Sequence, residues 1–396
     1  MKKFAKMSLV AALAVAGTTA SAQPLTEAIK NVDVSGSVVY RYNDYNDDYS
    51  STNSNFSQST NNYKIGLTAK AKVNDDVTAV TRFLVTADAD NGLTSLDTQN
   101  GGDGQVSVVL SNVYFSYTGL ANTTINVGKQ GLGTPWTVAI DADSEEQTGT
   151  GILALTNVGP VTLAGGYFNQ TNLAASSKAK INGAVSVGGL LDSSDDIYTL
   201  AAIANIGPVA IDAWYLDMDN TFDTFTIGAK AKFDLDAVNL GIEGRYTSLD
   251  LDDLLDPADT DNALYKLVLT AKAGIFNAKL AYIATDEEGG LVALDNDAKT
   301  AYQTWNMNAN GYADADMYNV VFGVQALPSL HISANYSNME YGAGDAEQEE
   351  LYAQFVYKMS KNFSTYVRYG KYTADNAAGI ETTDDMRGRL QVQYSF

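Results

Sequence analysis

The chain has no cysteine, which excludes a disulfide framework, thiol chemistry and thiolate metal sites. It has a single histidine, His331, so histidine-based catalysis and multi-histidine metal sites have almost nothing to build on. Basic residues are scarce. Against 47 Asp and Glu stand 25 Lys and Arg in 396 residues, a net charge of −22 that argues against a nucleic-acid partner, which needs a basic face. There is no apolar run fit to cross a membrane as a helix. The best stretch, Ile197 to Leu216, is interrupted by Gly207-Pro208, a turn signal that stops a helix. Yet 45% of residues are hydrophobic, too many for a disordered chain.

What is present begins with a leader. Lys2, Lys3 and Lys6 precede a short apolar core from Met7 to Ala16, and Ala20-Ser21-Ala22 reads as a cleavage site. Residues 1–22 are therefore expected to be a secretory signal peptide and 23–396 the mature domain. An apolar core of about 10 residues is half the length of a spanning helix. The protein is expected to leave the cytoplasm.

Alternation dominates the rest. Val32, Val34, Val38, Tyr40 and Tyr42 share one face of their segment, and Asp33, Ser35, Ser37 and Arg41 share the other. Tyr63 to Val73, Phe225 to Phe233, Val238 to Tyr246, Tyr265 to Ala273, Leu330 to Tyr336 and Leu390 to Phe396 repeat the pattern. A period of two means strands with one apolar and one polar face. Short connections such as Asn74 to Asp76, Gly159-Pro160, Gly207-Pro208 and Leu327 to Ser329 take turns with long ones rich in Asn, Asp, Ser and Gly. The long ones are 43–62, 87–105, 130–148, 170–196, 249–261, 286–315 and 374–384. A β-sandwich packs its apolar face into a core and does not gather its long loops at one end. A transmembrane antiparallel β-barrel does gather them, with short periplasmic turns at the other end and its apolar face turned to lipid. The all-β reading is about 18 strands, with 16 as the alternative, and roughly nine outer loops of about 18 residues each.

Aromatic placement agrees. Tyr42, Tyr63, Tyr167, Tyr215, Tyr246, Phe233 and Tyr369 fall near strand ends on the apolar face, as interfacial girdles do. The last strand closes on Tyr394-Ser395-Phe396, and Tyr394 with the terminal Phe396 resembles the membrane-insertion signal of outer-membrane barrels.

The stretch from Pro24 to Gly36 followed by Tyr40-Arg41-Tyr42 is similar to the N-terminus of the major outer membrane protein (porin) family of Campylobacter and related epsilonproteobacteria. Gly128-Lys129-Gln130, Trp136, Ala139-Ile140-Asp141 and Thr148 to Gly151 form a second match. The resemblance implies a homotrimeric, 18-stranded, cation-selective general diffusion porin with calcium as a bound ion. Its partners would be outer-membrane lipid and lipopolysaccharide, with ions and small solutes passing through. No other cofactor is implied.

The same resemblance makes the third long loop, 130–148, the inward-folded constriction. It opens on Gly131 and Gly133, and it carries Asp141, Asp143, Glu145 and Glu146 with no base of its own. By parity Arg41, Lys64, Arg82, Lys230, Arg245, Lys266, Arg368, Arg387 and Arg389 lie on the polar face. Of these, Arg41, Arg82 and Arg245 are expected to face the acidic loop and set up a transverse field. Lys129 belongs to the expected constriction by resemblance, but it shares parity with Ile125 and Val127, which points it at lipid unless a bulge at Gly128 re-aims it. Acid-rich loops imply a modest cation preference. Asp88-Ala89-Asp90-Asn91-Gly92, the Asp250 to Asp261 stretch and the group Asp217, Asp219 and Asp223 suit a hard cation, although such runs are usually solvated loops. Asp141 is the one candidate calcium ligand inside a matched motif. The alternative is a structural or adhesin barrel whose long loops are a binding surface. A barrel enzyme would need a nucleophile beside a base, and lone His331 does not supply one.

Overall fold

The computed structural model describes residues 32–47, 56–86, 92–96, 106–175, 180–181, 185–186, 191–252, 255–256 and 260–396. The expected leader, the start of the mature chain, and Asp88, Asp90, Asn91, Asp253 and Asp259 lie outside these residues.

Eighteen long antiparallel strands form the wall. They are β1 (Val32–Asp47), β2 (Phe56–Lys72), β3 (Val77–Thr86), β4 (Ser107–Tyr117), β5 (Thr123–Gly131) and β6 (Thr148–Val158). Then follow β7 (Val161–Thr171), β8 (Ile197–Ile206), β9 (Val209–Met218), β10 (Phe222–Leu235), β11 (Val238–Leu251) and β12 (Asn262–Ala273). The circuit ends with β13 (Phe276–Thr285), β14 (Asp316–Leu327), β15 (Leu330–Glu340), β16 (Glu347–Lys358), β17 (Phe363–Asp375) and β18 (Glu381–Ser395). Each strand pairs with the next, and β18 returns to β1 with Tyr40 opposite Val392 and Arg41 opposite Gln391. Phe396 completes the seam by exchanging backbone hydrogen bonds with Gly36 at 2.9 and 3.0 Å. Closure leaves no strand edge unpaired, which is the condition for a sheet in hydrocarbon. No helix among the described residues is long and apolar enough to cross a membrane.

The alternation read from the sequence is the alternation of the wall. In β10, Phe225 and Ile227 are exposed on the outside while Phe222, Thr224 and Thr226 are buried inside. Outward aromatics gather in two belts. Toward the outer rim Tyr167 meets Tyr198, Tyr246 meets Tyr265 and Tyr282 meets Tyr318, with ring centroids 5.3, 4.9 and 5.0 Å apart. Toward the other rim Phe276 stacks on Phe322 and Tyr394 on Phe396. These are the girdles of a lipid-facing surface.

The short turns lie where the sequence puts them. Gly159, Gly207 and Gly274 take φ of +60°, +59° and +57°, which a Cβ would oppose. The outer connections depart from the expected near-equal length. The acidic cluster of Asp217, Asp219 and Asp223 spans a tight turn: Met218 pairs with Phe222 and Asp217 lies opposite Asp223, so only 219–221 connects the strands. Asn220 makes this tight turn possible at φ +55°. By contrast, 286–315 is a long excursion that turns back into the barrel.

The lumen is therefore part core. One apolar cluster inside it joins Leu132 and Trp136 to Phe168, Ile197, Leu216 and Leu294. A second joins Leu264, Ile283, Val292, Met307, Met317 and Met339. Both lie beneath inward loops, and they fill the β6–β15 side of the barrel near its outer end.

Candidate functional site: a throat between two inward loops and an arginine wall

Loop 132–147, between β5 and β6, folds into the barrel. A Cβ on Gly131 would stand 2.8 Å from the Ala139 Cβ, so glycine is what lets the loop return so closely on itself. Two backbone bonds shape it, Leu132 N to Gln147 O at 2.9 Å and Gln147 N to Val138 O at 2.8 Å.

Its anchor is Glu146, whose side chain is 0% exposed. Arg82 grips it with two bonds, Nε to Oε2 at 2.8 Å and Nη2 to Oε1 at 2.5 Å. Lys64 approaches Oε1 at 3.3 Å and also donates to the carbonyls of Asp141 (2.8 Å) and Ser144 (2.6 Å). The Arg82 guanidinium can lie across β2 because Gly66 has no side chain; a Cβ there would be 2.6 Å from Nη2. One carboxylate held by two cations and further hydrogen bonds is what makes a buried charge tolerable. Farther along, Asp143 pairs with Arg41 and accepts from Gln391 Nε2 at 2.7 Å. Asp141 turns its Oδ1 onto the backbone N–H groups of Asp143 (2.9 Å) and Ser144 (3.1 Å). Burial, and then the charge of Asp143, raise the Asp141 carboxyl to about 7. Burial also pushes Asp143 upward, but the Arg41 guanidinium, hydrogen bonds with Asp141 and Gln391, and the charge of Arg389 together hold that carboxyl below its ordinary value.

Loop 286–315 folds in beside it. Leu294 N donates to Trp136 O at 2.9 Å, Thr300 N to Pro135 O at 3.1 Å, and Gln147 Nε2 to Leu294 O at 2.5 Å. Asn310 ties the loop to itself through bonds to Val292 N, Ala293 N and Ala293 O. The wall holds it at several places. Lys266 donates to the carbonyls of Lys299 and Ala301 at 2.6 and 3.2 Å. Buried Glu350 accepts from Trp305 N at 3.3 Å, Asn306 N at 2.9 Å and Asn306 Nδ2 at 3.1 Å.

Between these loops and the β16–β18/β1 wall remains a polar cavity of about 670 Å³. Arg41, Arg368, Arg387 and Arg389 line one side, with Asp143 and Trp305 on the loop side. Arg387 pairs with Asp385 and donates to Asn306 Oδ1 at 2.8 Å.

Of the residues expected at the constriction, Arg41 and Arg82 do meet the acidic loop, as do Asp143 and Glu146. Glu145 is buried within it. Arg245 does not reach the loop: it forms a two-pronged bond with Asp212 at 2.8 and 2.9 Å, lying across Gly228. Lys129 lies opposite outward-facing Val113, and its amine donates to the Leu110 carbonyl at 2.9 Å. The positive φ of Gly128 does not re-aim it, so Lys129 belongs to the outer surface. Tyr394 and Phe396 are outward and exposed at the seam. Among the described residues no three acidic or imidazole groups converge as a metal site, Asp141 included. The inward fold of 286–315, and with it Trp305 and Glu350, was not foreseen. Its hydrophobic residues share no simple period, and its bonds are largely to backbone.

A closed, aromatic-belted barrel with loops folded into a polar lumen defines an outer-membrane porin. Solved structures of that class share the fold. A BenF-like porin from Pseudomonas fluorescens Pf-5 aligns with TM-score 0.70 at 15% identity, covering 92% of this chain and 98% of its own. Pseudomonas aeruginosa OccK2 (OpdF) in complex with glucuronate aligns at 0.69 and 13%, again over 92% and 98%. Acinetobacter baumannii OccAB3 aligns at 0.68 and 14%, over 92% and 99%. At such identities the likeness speaks to the fold alone. Among curated protein sequences none matches. The family model of the Campylobacter major outer membrane protein matches residues 1–396, and the chain belongs to that family. It is a porin-like outer-membrane channel, in a family and fold of channels rather than enzymes.

Proposed function

We propose that the protein is a general diffusion channel for ions and small hydrophilic solutes, with a mild preference for cations. The observation that carries this reading is the polar cavity left between the inward loops and the arginine wall. The cation preference is assigned to the mouth. The acids of loop 132–147 are largely engaged, Glu146 by Arg82 and Lys64 and Asp143 by Arg41. The remaining excess of negative charge in the outer connections raises the local cation concentration, an effect that salt screens over about 10 Å at 0.1 M. The mature protein, refolded into a planar bilayer under a KCl gradient, is expected to give ohmic steps and a cation-selective reversal potential that weakens with added salt. A folded barrel without steps would overturn the channel reading; an anion-selective reversal potential would overturn the role of the mouth. The homotrimer belongs to the same proposal, and native mass spectrometry of the detergent-solubilised protein counts its subunits.

A further inference from the structure

Most of the partly or fully buried bases of the wall are paired; the exceptions that line the throat cavity are Lys279, Arg368 and Arg389. Arg41, Arg82, Arg245, Lys266 and Arg387 each have a carboxylate: Asp143, Glu146, Asp212, Glu243 and Asp385. Arg368 and Arg389 have no carboxylate within ion-pair distance among the described residues, although the charge of Arg389 still acts on Asp143. Arg368 bonds to Gln354, and Arg389 to Asn43 at 2.7 Å and to the Tyr45 hydroxyl at 3.0 Å. These two are also directly opposite each other on β17 and β18, and both line the throat cavity. Like charges in opposed positions of neighbouring strands repel. The arrangement is stable against that repulsion when an anion lies between them.

The surroundings narrow the anion's chemistry. Both guanidiniums lie near the Trp305 ring, at 5.9 and 5.7 Å from its centroid, and Arg368 is also 4.7 Å from the Tyr366 ring and 5.8 Å from Tyr352. Trp305 itself is 6% exposed and lines the cavity, and its indole Nε1 is buried without a hydrogen-bond partner. Guanidinium forks match carboxylates in a bidentate manner. Aromatic walls favour a flat or apolar body attached to the charge. A volume of about 670 Å³ accommodates a small molecule together with water.

We infer that Arg368, Arg389 and Trp305 form a binding step in the throat for small organic carboxylates with a flat body. This deepens the channel reading and rests on it. The acidic mouth and the basic throat act in series: the first sets which bulk ions accumulate, the second holds a carboxylate that has entered.

The test uses the mature protein in a planar bilayer in KCl, with potassium benzoate added on one side. Benzoate is expected to reduce the open-channel current in a saturable manner, acetate to do so more weakly, and inorganic phosphate not to compete. In Arg368→Gln and in Arg389→Gln the half-saturating benzoate concentration should rise about tenfold or more, each read against that variant's own open-channel current in KCl. Arg368→Lys, which keeps the charge and loses the fork, should fall between. Trp305→Phe, which keeps a ring and loses the N–H, separates the two contributions of that side chain. Saturation by phosphate as strong as by benzoate would overturn the carboxylate assignment in favour of a general anion site. Unchanged saturation in both Gln variants, or no saturation in a conducting wild-type channel, would overturn the inference and leave the channel reading standing. If the folded barrel does not conduct, the channel reading fails instead. Isothermal titration of benzoate into the detergent-solubilised protein then decides the subsite: a heat of binding lost in the Gln variants supports it, and none refutes it.

Discussion

Glu146 is the residue whose removal the structure makes most legible. Its carboxylate is fully buried, and both of its cations are nearly so, with Lys64 at 1% and Arg82 at 5% side-chain exposure. Glu146→Gln keeps the shape and deletes the charge, leaving two cations buried and uncompensated. Breaking a buried ion group from one side costs about 3–5 kcal/mol. At about 1.4 kcal/mol per tenfold, that is two to three and a half powers of ten in the equilibrium for releasing the loop. The barrel's own ladder does not run through Glu146, so the loss falls on loop 132–147 rather than on the wall. The expected result is a folded, heat-modifiable barrel whose currents are larger and noisier and whose loop is cut by proteinase K far faster than in the wild type. Replacing the whole group, with Lys64→Met and Arg82→Met added to Glu146→Leu, should restore much of the loop's protection, because no charge is then left alone. A Glu146→Gln channel with wild-type noise and wild-type proteolysis would refute the claim that this ion group holds the loop.

Three further outcomes follow. Asp141 should titrate near pH 7: its carboxyl is raised, so the neutral form favours the folded loop at low pH, and that contribution is lost as pH rises through about 7. A step in open-channel current or its noise should accordingly appear as pH passes through the same range, and it should vanish in Asp141→Asn. Gly228→Ala would place a Cβ 2.3 Å from Arg245 Nη2, at the mobile end of a side chain, so the arginine leaves Asp212 while the strand stays. The charge-assisted bond is worth about 1.5–3 kcal/mol, reduced here because Asp212 is partly exposed, and a lower guanidinium midpoint without change in strand content checks it. Glu350→Gln weakens the wall's hold on Trp305 and Asn306, and single-channel recordings should show excursions to a higher conductance.

The wall was legible because lipid and water impose a period of two that no tertiary detail overrides, as β10 shows with Phe225 and Ile227 outside and Thr224 and Thr226 inside. Parity likewise put Arg368, Arg387 and Arg389 on the lumen face, but parity has no depth. It could not say that these three line the throat while Arg245 settles onto Asp212. The inward loop was expected through resemblance over 130–148, and the structure trims it to 132–147 because both flanks belong to strands. The residues added a concentration of acids, which the structure uses as anchors instead of as an open charged fringe. The loop 286–315 gave no such signal. Its burial depends on Asn310 satisfying backbone groups and on Lys266 reaching carbonyls, contacts that involve main-chain atoms and so leave little trace in residue type. At Asn220 a left-handed residue makes a tight turn within the cluster Asp217, Asp219 and Asp223.

The struts between the two inward loops have a consequence for how such a channel can diverge. Leu294 meets Trp136, and Thr300 meets Pro135, through peptide N–H and C=O groups. Nearly any residue supplies those groups, with proline at a donor position the exception. Side chains at these strut positions can therefore be exchanged while the struts stay, so the loop-to-loop contact is less sensitive to residue type than the side-chain anchors Glu146 and Glu350.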